Sequence, residues 1–196
     1  MIDVALPYLR CPVCENTVEH GPPRTLRCPR GHSFDIARQG YVNLTRGRMP
    51  HEGDSAAMVE ARAAFLAAGH YTFIADVLAA AATETVGPVL DAGTGTGFYL
   101  GHVLDRLPTA TGLGLDVSKP ALRRAARAHP RAGAALADLW QRLPLADASA
   151  GLILDVFAPR NGPEFHRVLR PGGALLVVTP AADHLRELIT SHGLIR

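Results

Sequence analysis

Lysine is all but missing from this 196-residue chain: Lys119 is the only one, and every other basic residue is arginine. With abundant alanine and glycine, that bias reflects genome composition and assigns no function. No run of about 18 apolar residues occurs, which excludes a membrane-spanning helix and leaves no membrane partner to expect. The opening MIDVALPYLRCPVC has no basic segment followed by an apolar stretch, which argues against a signal peptide. Cysteine is scarce, odd in number and clustered, at Cys11, Cys14 and Cys28. A secreted disulfide framework is thereby excluded, and a reducing cytoplasm is expected. Internal repeats are absent.

The chain is long enough for one medium domain, or for a small module joined to a rather short α/β domain. Hydrophobic residues make up 47% and charged residues 19%, the ordinary balance of a folded protein. A formal charge of +2 conceals an uneven distribution. Residues 1–48 hold seven arginines against Asp3, Glu15, Glu19 and Asp35, whereas the remainder is slightly acidic. An anionic partner and a solvated arginine-rich face explain that basic segment equally well.

Three textures follow one another. Residues 1–48 are polar and broken by Gly and Pro. Residues 53–86 read as two helices. Asp54 or Ser55 is placed to cap the first and Gly69 to end it, with Met58, Ala61, Phe65 and Leu66 as its apolar stripe. The second, from about Tyr71, carries Ile74, Val77, Leu78 and Ala81 at helical spacing. From residue 88, five apolar strands (88–93, 111–117, 132–138, 150–157 and 174–180) alternate with helices, and RPGG turns the chain before the fifth. Continuously apolar strands in such alternation imply an α/β fold, a parallel sheet covered by helices on both faces.

Cys11-x2-Cys14-x13-Cys28-x3-His32 has the paired spacing of two metal knuckles. Zn2+ takes thiolate and imidazole in a tetrahedron, and four protein ligands leave no position for a catalytic water, so this zinc would be structural. Arg10, Arg27 and Arg30 favour the thiolate forms. His20 competes for the fourth position but lacks the paired spacing.

The second motif is VLDAGTGTGFY. A strand, a glycine-rich turn and a helix start let a nucleotide-type ligand approach backbone amides. The dinucleotide pattern would need Gly at 98, where Phe98 stands. Asp91, Gly93, Gly95 and Gly97 instead give D-x-G-x-G-x-G, which resembles the first motif of class I S-adenosylmethionine-dependent methyltransferases. Asp116, ending GLGLD, is then placed to accept both ribose hydroxyls, or else to cap the following helix. Asp138 is placed to hold the adenine amino group and Leu139 to cover the ring, with a solvated strand-end carboxylate as the rival role for Asp138. Asp155 could take a proton and Phe157 could stack on a flat base.

The combination CPxC…CPRGHSFDIARQGYVNL, GDSAAMVEARAAFLAAGHY and VLDAGTGTGFY…GLDVSK is similar to the bacterial 23S rRNA (guanine-N1)-methyltransferases, from Cys11 to about Leu188. The resemblance implies a zinc module at residues 1–48 that helps recognise a 23S rRNA hairpin. It also implies a helical linker and cofactor lid at 49–86 and a class I, Rossmann-like catalytic domain at 87–196. The reaction it implies is methyl transfer to N1 of one guanine in domain II, and one branch of the family is associated with tylosin resistance. The family's zinc ligands fall on Cys11, Cys14, Cys28 and His32, and its cofactor contacts on Tyr71, Gly95, Thr96 and His184. Relatives continue past HLREL with two more strands. The chain is therefore expected to be C-terminally short, leaving ALLVVTP as a bare edge. A small-molecule methyltransferase and a non-catalytic ribosome-binding relative stand as the alternatives, and a homodimer is left open.

Overall fold

The computed structural model describes residues 2–47, 53–82 and 86–192. The boundary expected at residues 48 and 49 lies outside them. Two 3-10 turns, Ile2–Val4 and Leu6–Tyr8, lead into an antiparallel sheet of β1 (Glu19–Gly21), β2 (Thr25–Arg27) and β3 (Ser33–Asp35). A two-residue strand, β4 (Val42–Asn43), precedes helices α1 (Ala56–Ala67) and α2 (Thr72–Ala81). The α/β part follows as β5 (Val89–Ala92), α3 (Phe98–Arg106), β6 (Gly112–Asp116), α4 (Lys119–Ala125) and β7 (Ala132–Leu136). It continues with β8 (Ala150–Val156), α5 (Gly162–Val168), β9 (Leu169–Val178) and α6 (Arg186–His192).

The main sheet is parallel, in the order β4-β7-β6-β5-β8-β9. The chain winds outward from β5 through β6 to β7, then returns to place β8 on the other side of β5. That reversal opens a crevice beyond the carboxyl ends of β5 and its neighbours, where ligands bind in open α/β sheets. Five of the six strands match the apolar runs. The sixth comes from the N-terminal segment, where Val42 lies opposite Ala135; two residues are too few for a periodic signal.

Helices flank both faces of the sheet, as expected, with α2, α3 and α4 on one and α5 on the other, where the N-terminal segment shares the cover. Val89, Leu152, Leu154 and Val156 pack against α2 and α3, and Ala134 and Leu136 against α4. On the opposite face, Leu90, Leu113, Leu115, Ala135 and Ile153 share one core with Ile2, Ala5, Leu9, Cys11, Val18, Leu26, Cys28 and Phe34, joined by Phe165 and Val168 of α5. The N-terminal segment thus covers much of one face itself, and its buried side chains bind it to the sheet through the hydrophobic effect.

Ser55 caps α1, its side chain accepting from the Met58 amide at 3.3 Å. The buried stripe of α1 is Val59 and Leu66, and Met58 and Phe65 are exposed. In α2, Ile74, Ala75 and Leu78 are buried while Val77 is exposed. Phe65 leaves the buried stripe because α1 borders the ligand crevice there, so its ring faces a cavity instead of core. RPGG does not end in a free turn. Ala150 pairs with Leu169 and Leu152 with Ala174, so the intervening residues loop out of a continuous β9 around Gly172 at φ +77°. β9 forms the sheet edge, with Leu175 and Val177 41% and 42% exposed.

Candidate functional site

Cys11, Cys14, Cys28 and His32 converge, their ligand atoms all within 4.8 Å of one another. Cys14 Sγ lies 3.6 Å from Cys28 Sγ. His32 Nδ1 is 3.6 Å from Cys11 Sγ and 3.3 Å from Cys28 Sγ. Tetrahedral zinc, with bonds of about 2.3 Å to sulfur and 2.0–2.1 Å to nitrogen, separates its ligands by roughly 3.5–3.8 Å. The donor set and its spacing therefore fit Zn2+. A backbone N–H at Asn16 stabilises the Cys14 thiolate and brings its pKa down to about 6, ready for metal. His20 stands apart, Nε2 bonded to Asp3 Oδ1 at 2.8 Å.

The crevice at the sheet switch point has two lobes. The larger, about 520 Å3, is lined by Arg62, Phe65 and Tyr71, the turn Gly93–Thr96, Phe98 and Tyr99. The smaller, about 280 Å3, is lined by Asp54, Asp116, Asp138, Leu139 and Trp140 with residues 157–159. Arg62, Gly93 and Phe157 border both, so the lobes form one cleft. Together they offer the space of a drug-sized ligand, roughly 300–1,000 Å3.

Asp91 does not reach the cleft. It is 1% exposed, and its Oδ2 accepts from Thr94 Oγ1 at 2.6 Å. Thr94 fits there because Gly114 has no side chain; a Cβ on Gly114 would meet Thr94 at 2.7 Å. Burial pushes the Asp91 carboxyl up to about 7, against the Thr94 hydrogen bond. Gly97 starts α3 at φ +81°, and a Cβ there would strike Ala128 at 2.8 Å, so its role is helix packing. Asp116 braces the turn, Oδ2 accepting the Gly95 N–H at 2.8 Å and Oδ1 the Ser118 N–H at 2.7 Å. Ser118 itself caps α4. Asp138 Oδ1 accepts the Trp140 N–H at 2.9 Å, while its Oδ2 is buried without a hydrogen-bond partner. Such an orphaned acceptor in the cleft wall suits an amino group on a ligand.

Tyr71 lines the larger lobe and meets Phe65 edge-on at 5.0 Å between centroids. Phe157 stands at the junction of the lobes at φ +55°, unusual for a bulky residue and a mark of a constrained site. Asp155 is buried with both carboxylate oxygens unpartnered; burial pushes it up to about 6, though it lines neither lobe. His184 is exposed after β9 and also lines neither lobe. Sequence reasoning missed Asp54, Arg62, Phe98, Tyr99 and Trp140. Trp140, 55% exposed beside the acidic strand end, was the most legible of them.

Sheet order, glycine turn and acidic strand ends define a class I methyltransferase fold, and the donor set of the cleft and cluster fits S-adenosylmethionine and a structural zinc. Residues 9–47 match the zinc-ribbon family described as RlmA, N-terminal, and residues 89–173 the methyltransferase domain family. A Micromonospora griseorubida protein provisionally named a 23S rRNA (guanine-N1)-methyltransferase is 61% identical over 97% of this chain and 72% of its own length. The Streptomyces fradiae 23S rRNA (guanine(748)-N1)-methyltransferase is 54% identical over 96% of this chain and 69% of its own. Among solved structures, a provisionally named Haloferax volcanii methyltransferase, in complex with an activator protein, shares the fold. Its TM-score is 0.56 at 24% identity, over 65% of this chain and 61% of that one. The chain belongs to the 23S rRNA (guanine-N1)-methyltransferase family.

Proposed function

We propose that this protein methylates N1 of a guanine within a hairpin of 23S rRNA. One observation carries the reading: the arginine-rich zinc ribbon and the cofactor cleft are built on one continuous core, so RNA held by the first is presented to the second. In this reading residues 1–48 recognise the RNA, 49–86 close over the cofactor and 87–196 bind it. The cytoplasm is the proposed location. Five exposed arginines, Arg24, Arg27, Arg30, Arg38 and Arg46, give the ribbon a surface for phosphates.

S-adenosylmethionine supplies an electrophilic methyl group on a sulfonium. Asp116 would hold the ribose with the lone pairs its two amide partners leave free. Asp138 Oδ2 would accept from the adenine amine, with Leu139 against the ring. Gly93, Gly95 and Thr96 leave the turn open for the amino-acid end, beside Tyr71. Phe157, at the junction, is placed to stack the guanine after it leaves its helix or loop. The N1 proton must leave before or during transfer, and Asp155, buried behind the cleft two residues from Phe157, would take it only through a group or water between itself and the guanine.

Methylation of 23S rRNA lacking the modification, with the product nucleotide mapped, tests the function. Label on a guanine N1 is expected; label on another atom, or none despite cofactor binding, would refute it. For the cleft, Asp116→Ala is expected to weaken S-adenosylmethionine ~10–100-fold in calorimetry, the range of hydrogen bonds to a charged group. Unchanged affinity in a folded variant would remove Asp116 from the cofactor site.

A further inference from the structure

Arg62 is the only cation among the described residues lining the cleft, and it borders both lobes. Three carboxylates, Asp54, Asp116 and Asp138, line the smaller lobe with it. Its guanidinium is held from one side, Nη2 lying 2.8 Å from Asp54 Oδ2. Asp54 in turn is fixed, since its carbonyl accepts from Ser118 Oγ at 2.7 Å, two residues beyond Asp116. Nη1 is left facing the glycine turn, 3.6 Å from where a Cβ on Gly95 would stand, and has no hydrogen-bond partner among the described residues.

With the nucleoside held at Asp116 and Asp138, the amino-acid end of the cofactor crosses the junction into the larger lobe, past Gly93 and Gly95. That end carries an ammonium and a carboxylate. Among the described residues no carboxylate lines the larger lobe, where Arg62 is the one charged side chain. The carboxylate therefore enters beside a donor of positive charge and apart from Asp54, Asp116 and Asp138 of the smaller lobe. Resting on the proposal that this cleft binds S-adenosylmethionine, we propose that Arg62 is the ligand of the cofactor's α-carboxylate. Asp54 presets the guanidinium fork so that Nη1 is free for it. Because Arg62 sits on α1, carboxylate binding also fastens that helix over the glycine turn. Arg62 is a specificity residue: it selects a cofactor with an intact amino-acid carboxylate.

The test is calorimetry on the full chain, parent and Arg62→Met, with S-adenosylmethionine, its decarboxylated analogue and 5′-methylthioadenosine. Methionine keeps the aliphatic stem and removes the charge. The parent is expected to prefer S-adenosylmethionine over the decarboxylated analogue by ~10–100-fold, the range for a charge-assisted hydrogen bond. Arg62→Met is expected to lose that preference while binding the two carboxylate-free ligands within about twofold of the parent, the scatter tolerated for a neutral substitution. Equal weakening of all three ligands would overturn the assignment in favour of a structural role for Arg62. Parent-like preference in the variant would overturn it by placing the carboxylate elsewhere. Failure of the parent to bind either S-adenosylmethionine or 5′-methylthioadenosine would instead overturn the cofactor reading, and this assignment with it.

Discussion

Cys28→Ser is expected to strip the chain of zinc and to damage the cofactor cleft far from the substitution. Structural zinc in small ribbon peptides contributes about 10–16 kcal/mol of apparent binding energy near neutral pH, and that energy is folding energy. Here Cys11 and Cys28 belong to the same core as Leu90, Leu113 and Ile153 of the main sheet. The tie continues along the loop after β7. The Arg10 N–H donates to the Pro144 carbonyl and the Ala146 N–H to the Tyr8 carbonyl, both at 2.9 Å. Arg142 Nε lies 2.9 Å from Glu15 Oε1, one residue past Cys14. Asp138, Leu139 and Trp140 begin that same loop, whose far end is tied to the ribbon and whose Leu139 carbonyl accepts from Asn161 Nδ2 at 2.8 Å. Losing the ribbon therefore frees one anchor of the adenine wall.

The measurements are metal content, thermal unfolding and S-adenosylmethionine affinity on parent, Cys28→Ser and chelator-treated protein. Loss of zinc, a lower and broader transition and at least ~10-fold weaker cofactor binding are expected together, since a few kcal/mol at a supporting loop corresponds to that factor. Glu15→Ala separates the ion pair from the metal: zinc should stay and stability should fall by at most about 1 kcal/mol, as for exposed pairs. Zinc-free protein that keeps its transition temperature and its cofactor affinity would show that the ribbon is only an appendage.

The features legible in the sequence were those whose meaning lies in spacing. CPVC with CPRGH places four ligands by chain geometry alone, and D-x-G-x-G-x-G requires only one strand and one turn. What escaped depends on a second element crossing the first. Arg62 and Asp54 belong to a segment that reads as an ordinary capped helix, and they gain meaning only where α1 lies over the glycine turn. Phe65 read as core because a hydrophobic residue facing a ligand lobe has the same helical period as one facing packed side chains. Gly114 carries no signal of its own within the second apolar run, yet its missing Cβ admits Thr94, which holds Asp91. Asp116 was legible as a ligand or a cap, whereas its bond to the Gly95 amide is a long-range contact that no local pattern announces.

Asp91→Asn is expected to stabilise the protein at alkaline pH and to do progressively less as the pH falls. Asp91 is buried in a cluster that includes Asp116 and Asp155, and burial raises its carboxyl from 3.8 to about 7. The native state therefore holds a proton between these two values that the unfolded chain has released. Stability falls with pH wherever the native state binds more protons, so this residue's contribution is intact below about pH 4 and is lost as the pH rises through about 7. At ~1.4 kcal/mol per pH unit separating the two values, the ionised carboxylate costs on the order of 4 kcal/mol above pH 7. Asparagine matches the carboxyl in shape, keeps an oxygen for Thr94 Oγ1 and never ionises. The variant should melt ~8–16 °C above the parent at pH 8, taking about 2–4 °C for each kcal/mol in a chain of this size, and close to it at pH 4. Pairing scans of the two proteins across that range cancels carboxylates shifted the other way, such as Glu164, held below its ordinary value by its hydrogen bond from Arg167. A difference in melting temperature that does not change with pH would mean that Asp91 is ionised throughout, with a counter-charge beneath the glycine turn.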